Sequence, residues 1–211
     1  MIKAIVFDID GTLLDTTEFI FQSFEHTFKH HNLPLLTRPE IHNHMGHALP
    51  DMYVSIAPDY MDHAALVETH RSFQEKNLHL STPFLHTLET LLELKNRGIK
   101  MSAVTNRSKR TSLSTLKNAG LDHLFEMIVS AEDVTTAKPH PEGLLRVLKH
   151  MGVDPYESLM VGDTLADVEA GKAAGVKTVG TTQGLGKDAI IEHKPDFIIR
   201  DISEILKIIE E

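Results

Sequence analysis

The sequence predicts an α/β fold: a mostly parallel sheet flanked by helices, with an all-helical segment inserted after the first strand. Three observations predict it. The apolar run from Ile2 to Phe7, broken only by Lys3, is β-branched and aromatic and suits a strand covered on both faces. From Thr82 onward helical and strand patterns alternate, as βαβ units in a parallel sheet require. Between them, residues 16–81 show no buried-strand pattern and hold most of the aromatic residues and most of the histidines. The expected division is a core of residues 1–15 and 82–211 and a helical unit of residues 16–81.

Each element has its own signals. Asp15 is an N-cap for a helix whose apolar face is Phe19, Ile20, Phe24 and Phe28. After the helical unit, Leu85, Leu88, Leu91, Leu92 and Leu94 form an apolar helical face that Gly98 stops. Ile99–Val104 reads as a strand, and Ser108 caps the next helix, with Leu113 and Leu116 on its face and Gly120 at its end. Phe125–Val129 is a further strand. Pro141 starts a helix with Leu144, Leu145 and Leu148 on its face, and Gly152 ends it. The remaining strands are Leu159–Val161, Val176–Val179 and Phe197–Ile199, followed by a terminal helix from Ile202 to Ile209.

Composition excludes several classes. With 211 residues the chain can bury enough surface for one full core and a small second unit. It has no cysteine and so forms no disulfide, which is compatible with a reducing compartment. Hydrophobic residues at 41 % and charged residues at 24 % are those of a globular enzyme rather than a disordered chain. A net charge of −9 without a dense Lys/Arg cluster argues against nucleic acid as a partner. Two aspartates in the first ten residues do not suit a secretory leader, and no apolar stretch approaches membrane-spanning length. The expectation is a cytoplasmic protein acting on neither membrane nor nucleic acid.

Four stretches carry chemistry, each just after a predicted strand, where open α/β sheets place their ligands. In Asp8-Ile9-Asp10-Gly11-Thr12 the two carboxylates share a site only if the chain curls. Gly11 permits that curl and lets backbone N–H groups approach an anion. Asp8 is then placed to attack phosphorus, and Asp10 to exchange a proton with the leaving oxygen and with water. Acidic groups facing an acidic substrate need a divalent cation, and oxygen ligands suit Mg2+. An EF-hand calcium loop is excluded, because its later ligands are missing; a solvated acidic turn is the alternative. Thr105-Asn106 offers a hydroxyl and an amide to phosphoryl oxygens, or a plain helix-start turn. Lys138-Pro139 offers an ammonium beside a stiffened backbone, or a solvated surface lysine. Gly162-Asp163-Thr164-Leu165-Ala166-Asp167 places two carboxylates one helical turn apart, where they either face one cation or cap a helix.

These stretches, in this order, resemble the four motifs of the haloacid dehalogenase-like superfamily, and most of all its phosphoglycolate phosphatase and pyrophosphatase branch. The resemblance spans almost the whole chain. It implies a Rossmann-like core with a helical cap domain closing over the active site. It also implies a Mg2+-dependent phosphatase acting on a small phosphorylated metabolite, phosphoglycolate-like or pyrophosphate, through an aspartyl-phosphate. By the same resemblance Asp8 is the nucleophile and a metal ligand, and Asp10 is the acid/base and, through its carbonyl, a metal ligand. Gly11, Thr105, Asn106 and Lys138 contact the phosphate; Asp163 binds metal, and Asp167 is a second ligand or an orienting group.

Substrate choice falls to the cap. Met45-Gly46-His47-Ala48-Leu49 resembles a loop that reaches toward the leaving group, which makes Gly46 and His47 candidates, and Arg71 is a candidate for a second anionic group. Where relatives commonly carry Pro-Gly at the return to the core, this chain has Pro83-Phe84. The enzymatic alternative is a phosphosugar mutase of the same superfamily. The alternative from another class is a phosphoaccepting signalling domain, against which the long insertion and Asp10-Gly11-Thr12 argue. His42-x-His44-x-x-His47 has no fourth zinc ligand nearby and reads as surface histidines. Gly184-Leu185-Gly186-Lys187 lacks the hydroxyl residue and the upstream glycine of a phosphate loop.

Overall fold

The structure, a computed structural model, describes residues 1–184 and 189–210. Its first strand, β1 (Ala4–Phe7), is buried along its whole length, as a continuous apolar run in the middle of a sheet must be. The short β2 (Leu14–Asp15) then leads into four helices: α1 (Thr17–His30), α2 (Arg38–His42), α3 (Leu49–Ile56) and α4 (His63–Lys76). The chain returns through β3 (Thr82–Pro83), which pairs antiparallel with β2, Leu14 opposite Pro83 and Asp15 opposite Thr82. The two joints of the helical unit are thus tied to each other.

The rest alternates as the sequence predicts: α5 (Thr87–Asn96), β4 (Lys100–Val104), α6 (Lys109–Asn118), β5 (Met127–Val129), α7 (Glu142–Met151) and β6 (Ser158–Gly162). Then follow α8 (Leu165–Ala174), β7 (Lys177–Thr181), α9 (Ala189–Glu192), β8 (Phe197–Ile199) and α10 (Ile205–Ile208). The six longer strands are parallel, in the order β5-β4-β1-β6-β7-β8. The chain builds outward from β1 to one side and then to the other, so the order reverses at β1. That is where such sheets open a crevice beyond their carboxyl ends.

Side chains alternate between the two faces. Ile5 and Phe7 pack in one cluster with Leu91, Leu94, Leu116 and Ile205. Ala4 and Val6 pack in the other with Leu144, Val147, Leu148 and Met160. The helical unit has its own core of Phe21, Phe24, Phe28, Met52, Tyr53 and Leu66.

Several sequence expectations shift in detail. Thr16, not Asp15, is the N-cap of α1, although the Asp15 carboxylate still accepts from Thr17 N–H at 3.0 Å. Leu85, Leu88, Leu92, Leu113 and Leu145 are exposed rather than part of the buried faces. In α5 and α6, buried threonines take those places: Thr87 Oγ1 donates to Leu13 O at 3.2 Å and Thr115 Oγ1 to Thr111 O at 3.0 Å. The terminal helix opens with a 3-10 turn over Ile202–Glu204. The strand expected from Phe125 begins at Met127, and the short α9 had no clear sequence signal.

Candidate active site

Asp8 directly follows β1 and extends the ladder, its N–H donating to Val161 O at 2.8 Å. The chain then curls: Leu13 and Leu14 N–H both donate to Ile9 O at 3.0 Å, and Gly11 N–H donates to Leu14 O at 2.9 Å. Gly11 has φ +76°, where a side chain is strained, and a Cβ there would lie 2.2 Å from Asp163 Oδ2. The curl brings Asp8 and Asp10 to line one cavity with Gly11, Thr105, Asn106, Lys138 and Asp163.

Three strand ends meet here because β4 and β6 flank β1. Thr105 follows β4, and Asp163 follows β6. Lys138, from the segment before α7, donates through Nζ to Asp8 Oδ1 at 2.7 Å and to Asp167 Oδ1 at 2.6 Å. Burial by itself would lower the Lys138 pKa, but Asp167 and Asp8 outweigh it and hold the ammonium charged. The Asp8 pKa is pushed up to about 7, chiefly by burial and then by the charges of Asp167 and Asp10, against the pull of Lys138. Burial and the neighbouring Asp8 and Asp167 carboxylates also push Asp163 well above the usual carboxylate range.

Asp163 Oδ1 is buried without a hydrogen-bond partner. Asp8, Asp163 and Asp167 offer oxygens within 4.8 Å of one another, the sole such His/Cys/Asp/Glu group among the described residues. Three carboxylates around one ammonium leave an excess of buried negative charge that a hard cation satisfies. Asp167 has little left to give it. Its Oδ2 accepts from Thr164 N–H at 3.0 Å and Thr164 Oγ1 at 2.6 Å, closing the N-terminal capping box of α8, while Oδ1 holds Lys138.

Other candidates have specific places. Asn106 donates to Gly46 O at 2.7 Å and Lys138 O at 2.8 Å and accepts from Lys138 N–H at 3.0 Å. Its amide thus joins the helical unit to the lysine segment instead of being free for a phosphate. The Thr105 hydroxyl accepts from Arg107 N–H at 3.1 Å. Gly46 and His47 line the cavity. Arg71 does not: it pairs with Glu132 at 2.8 Å, so the anion-binding expectation for it finds no support. His42, His44 and His47 form no metal-ligating group among the described residues. Of the glycine-rich stretch, Gly184 packs against Asp163, and residues 185–187 lie outside the described residues.

Sequence reasoning missed Arg107. It donates through Nη1 to Asp10 Oδ1 at 3.0 Å and through Nη2 to Thr111 O at 3.2 Å, and its guanidinium carbon sits 5.0 Å from the Phe19 ring centre. Its signal was position, two residues past Thr105 at the same strand end. The helical unit closes the cavity with Ile20, Phe24, Met45, Leu49 and Met52, together with His70 and Gln74. His70 is neutral, its pKa lowered to about 3 chiefly by burial and then by Arg107 and Arg71. Its ring nitrogens meet Tyr53 Oη at 2.8 Å and Gln74 Nε2 at 3.0 Å.

Comparison with known proteins agrees with this geometry. The sequence profile of the family described as Haloacid dehalogenase-like hydrolase matches residues 5–181. Pyrophosphatase PpaX of Bacillus pumilus is 39 % identical over 210 residues, covering 99 % of this chain and 96 % of that protein. Pyrophosphatase PpaX of Oceanobacillus iheyensis is 36 % identical, covering 99 % and 97 %. Among solved structures, a predicted phosphoglycolate phosphatase from Haemophilus somnus 129pt superposes with a TM-score of 0.90 at 29 % identity, covering 98 % of this chain and 97 % of that one. The chain belongs to the haloacid dehalogenase-like hydrolases.

Proposed function

We propose that this hydrolase is a Mg2+-dependent phosphatase that transfers a phosphoryl group from a small substrate, pyrophosphate or a phosphoglycolate-like monoester, to Asp8 and then to water. The observation that carries the proposal is the buried arrangement of Asp8, Asp163 and Lys138 at one cavity, with Asp163 Oδ1 lacking any partner. The names of the relatives, pyrophosphatase and phosphoglycolate phosphatase, support the substrate range. Asp8, Asp163 and the backbone carbonyl of Asp10 are the residues that would hold Mg2+, which when bound offsets the charge of the carboxylates and the phosphoryl oxygens.

The chain's own groups then divide the work. Lys138 engages Oδ1 of Asp8, which fixes the carboxylate and opposes its charge. The other oxygen of Asp8 attacks phosphorus as the bond to the leaving oxygen breaks, and Asp10 gives that oxygen a proton. Asp10 next takes a proton from water as the water attacks the phosphoryl group on Asp8, and the carboxylate is released. Asp167 serves by holding Lys138 rather than by binding metal, and the helical unit acts as the cap over the reacting groups. Catalysis of this kind rests mainly on positioning and electrostatics.

The test is phosphate release with Mg2+ from pyrophosphate, phosphoglycolate, sugar phosphates and nucleotides. The wild type should turn over at least one of these, and Asp8→Asn should lose at least about a thousandfold in kcat while still folding, as a cooperative melting transition would show. Substantial turnover by Asp8→Asn removes it as the nucleophile.

A further inference from the structure

The cap lines the cavity mainly with apolar side chains, beside His47, His70 and Gln74, and with no lysine or arginine; among the described residues, those of these two types that line it are Lys138 and Arg107, both from the core. Lys138 lies between Asp8 and Asp167. Arg107 is different. Two of its nitrogens are engaged by Asp10 and Thr111, Phe19 supports its planar group, and its Nε is buried without a partner. A guanidinium has five N–H groups, so donors remain after these bonds. It is fixed before any ligand arrives, which reduces the ordering cost of binding one.

We propose that Arg107 is the residue that reads the leaving group, by binding an anionic group carried close to the bridging oxygen. The inference rests on the phosphoryl-transfer reading above. If Asp10 protonates the bridging oxygen, that oxygen lies against the carboxylate Arg107 already touches at 3.0 Å. An anion attached within two or three bonds of the oxygen then falls within reach of the free N–H groups. Both a carboxylate on a short carbon chain and a second phosphate meet this requirement. An uncharged leaving group gains nothing from it.

The experiment compares kcat/KM for pyrophosphate and for phosphoglycolate, each divided by that for 2-hydroxyethyl phosphate, whose alcohol leaving group needs the Asp10 proton as glycolate does but carries no second anion. Dividing removes the loss of proton transfer that follows when Asp10 loses its partner. Arg107→Gln should lower at least one of the two ratios by roughly 10- to 100-fold, mainly through KM, and Arg107→Lys should restore part of it. A fall in the pyrophosphate ratio alone identifies a phosphate as the anion, and in the phosphoglycolate ratio alone a carboxylate. Arg71→Gln should leave both ratios unchanged. Both ratios unchanged in Arg107→Gln overturns the proposal.

Binding provides a readout independent of turnover. With Mg2+ present, Arg107→Gln in an Asp8→Asn background should weaken equilibrium binding of pyrophosphate or phosphoglycolate about tenfold or more. If the wild type releases phosphate from no substrate but this loss is seen, the phosphatase reading fails and the anion site stands. If binding of both is unaffected, the anion site fails.

Discussion

At the scale of single residues, the site depends as much on missing side chains as on charged ones. Gly184 shows this most directly. A Cβ there would sit 2.1 Å from Asp163 Oδ2 and 2.6 Å from Gly11 O, so even one methyl must displace the carboxylate that has a free buried oxygen. Unlike Gly11, Gly184 has no positive φ to add backbone strain, so the collision is the main effect. Gly184→Ala should therefore raise the Mg2+ concentration for half-maximal activity by about 10- to 100-fold, the range seen when residues supporting a metal ligand are changed. A Mg2+ titration of phosphate release measures it, and an unchanged midpoint would separate Asp163 from metal binding. The acidic motifs were legible because each sits where a strand ends. Gly184 was not, because its closeness to Asp163 comes from sheet order and not from any local pattern.

At the scale of elements, the start of α8 combines the cap that the sequence offered as one reading of Asp167 with a contact to Lys138 that it did not. Asp167 closes the capping box of this helix through one oxygen and holds Lys138 through the other, so the helix start and the buried lysine are coupled. Thr164→Ala removes the 2.6 Å hydroxyl contact, leaving Asp167 Oδ2 with the backbone N–H of residue 164. Loss of such a cap costs about 1 kcal/mol, which in a chain of this size lowers Tm by about 2–4 °C. Turnover should fall with it, several-fold, because Asp167 loosens on the side away from Lys138. A lowered melting curve with full activity would show that the cap and the lysine are independent. Helix ends such as Ser108 and Gly152 were legible because capping is local. The buried faces of α5 and α6 were less so, since threonines that bond backbone carbonyls can replace leucines in a core. The pairing of Arg107 with Asp10 spans 97 residues and that of Arg71 with Glu132 crosses from helical unit to core, and neither leaves a periodic trace.

At the scale of the whole molecule, the core and the helical unit meet through polar links around an acidic centre. Arg71 pairs with Glu132, Arg110 with Glu68 and Glu75, and Asn106 bonds Gly46. The Arg110 pairs are substantially exposed and contribute little stability, so the dominant electrostatic question is the charge buried at the site. The Asp8 pKa is raised from 3.8 to about 7, mainly by burial, and that of Asp163 is raised well above 3.8. A raised carboxyl binds its proton more tightly in the folded state. Its contribution to stability is full below about pH 3.8 and is lost as pH rises toward 7, for Asp8, and through the raised value of Asp163. Asp133 acts in another window: burial pushes it up, but Lys109 and Ser130 outweigh that and hold it at about 2, so its effect appears only in stronger acid. Without Mg2+, these two site carboxyls should therefore make the protein less stable as pH rises from 5.5 to 8. Mg2+ requires the ionised carboxylates, so its stabilisation should grow over the same interval. At a concentration a hundred times its dissociation constant, the gain in Tm should reach about 5–10 °C at pH 8 and shrink toward zero at pH 5.5. Melting curves with and without Mg2+ across this range measure the difference. A gain that stayed constant, or grew toward acid, would mean that Asp8 and Asp163 are not the carboxylates that take the metal.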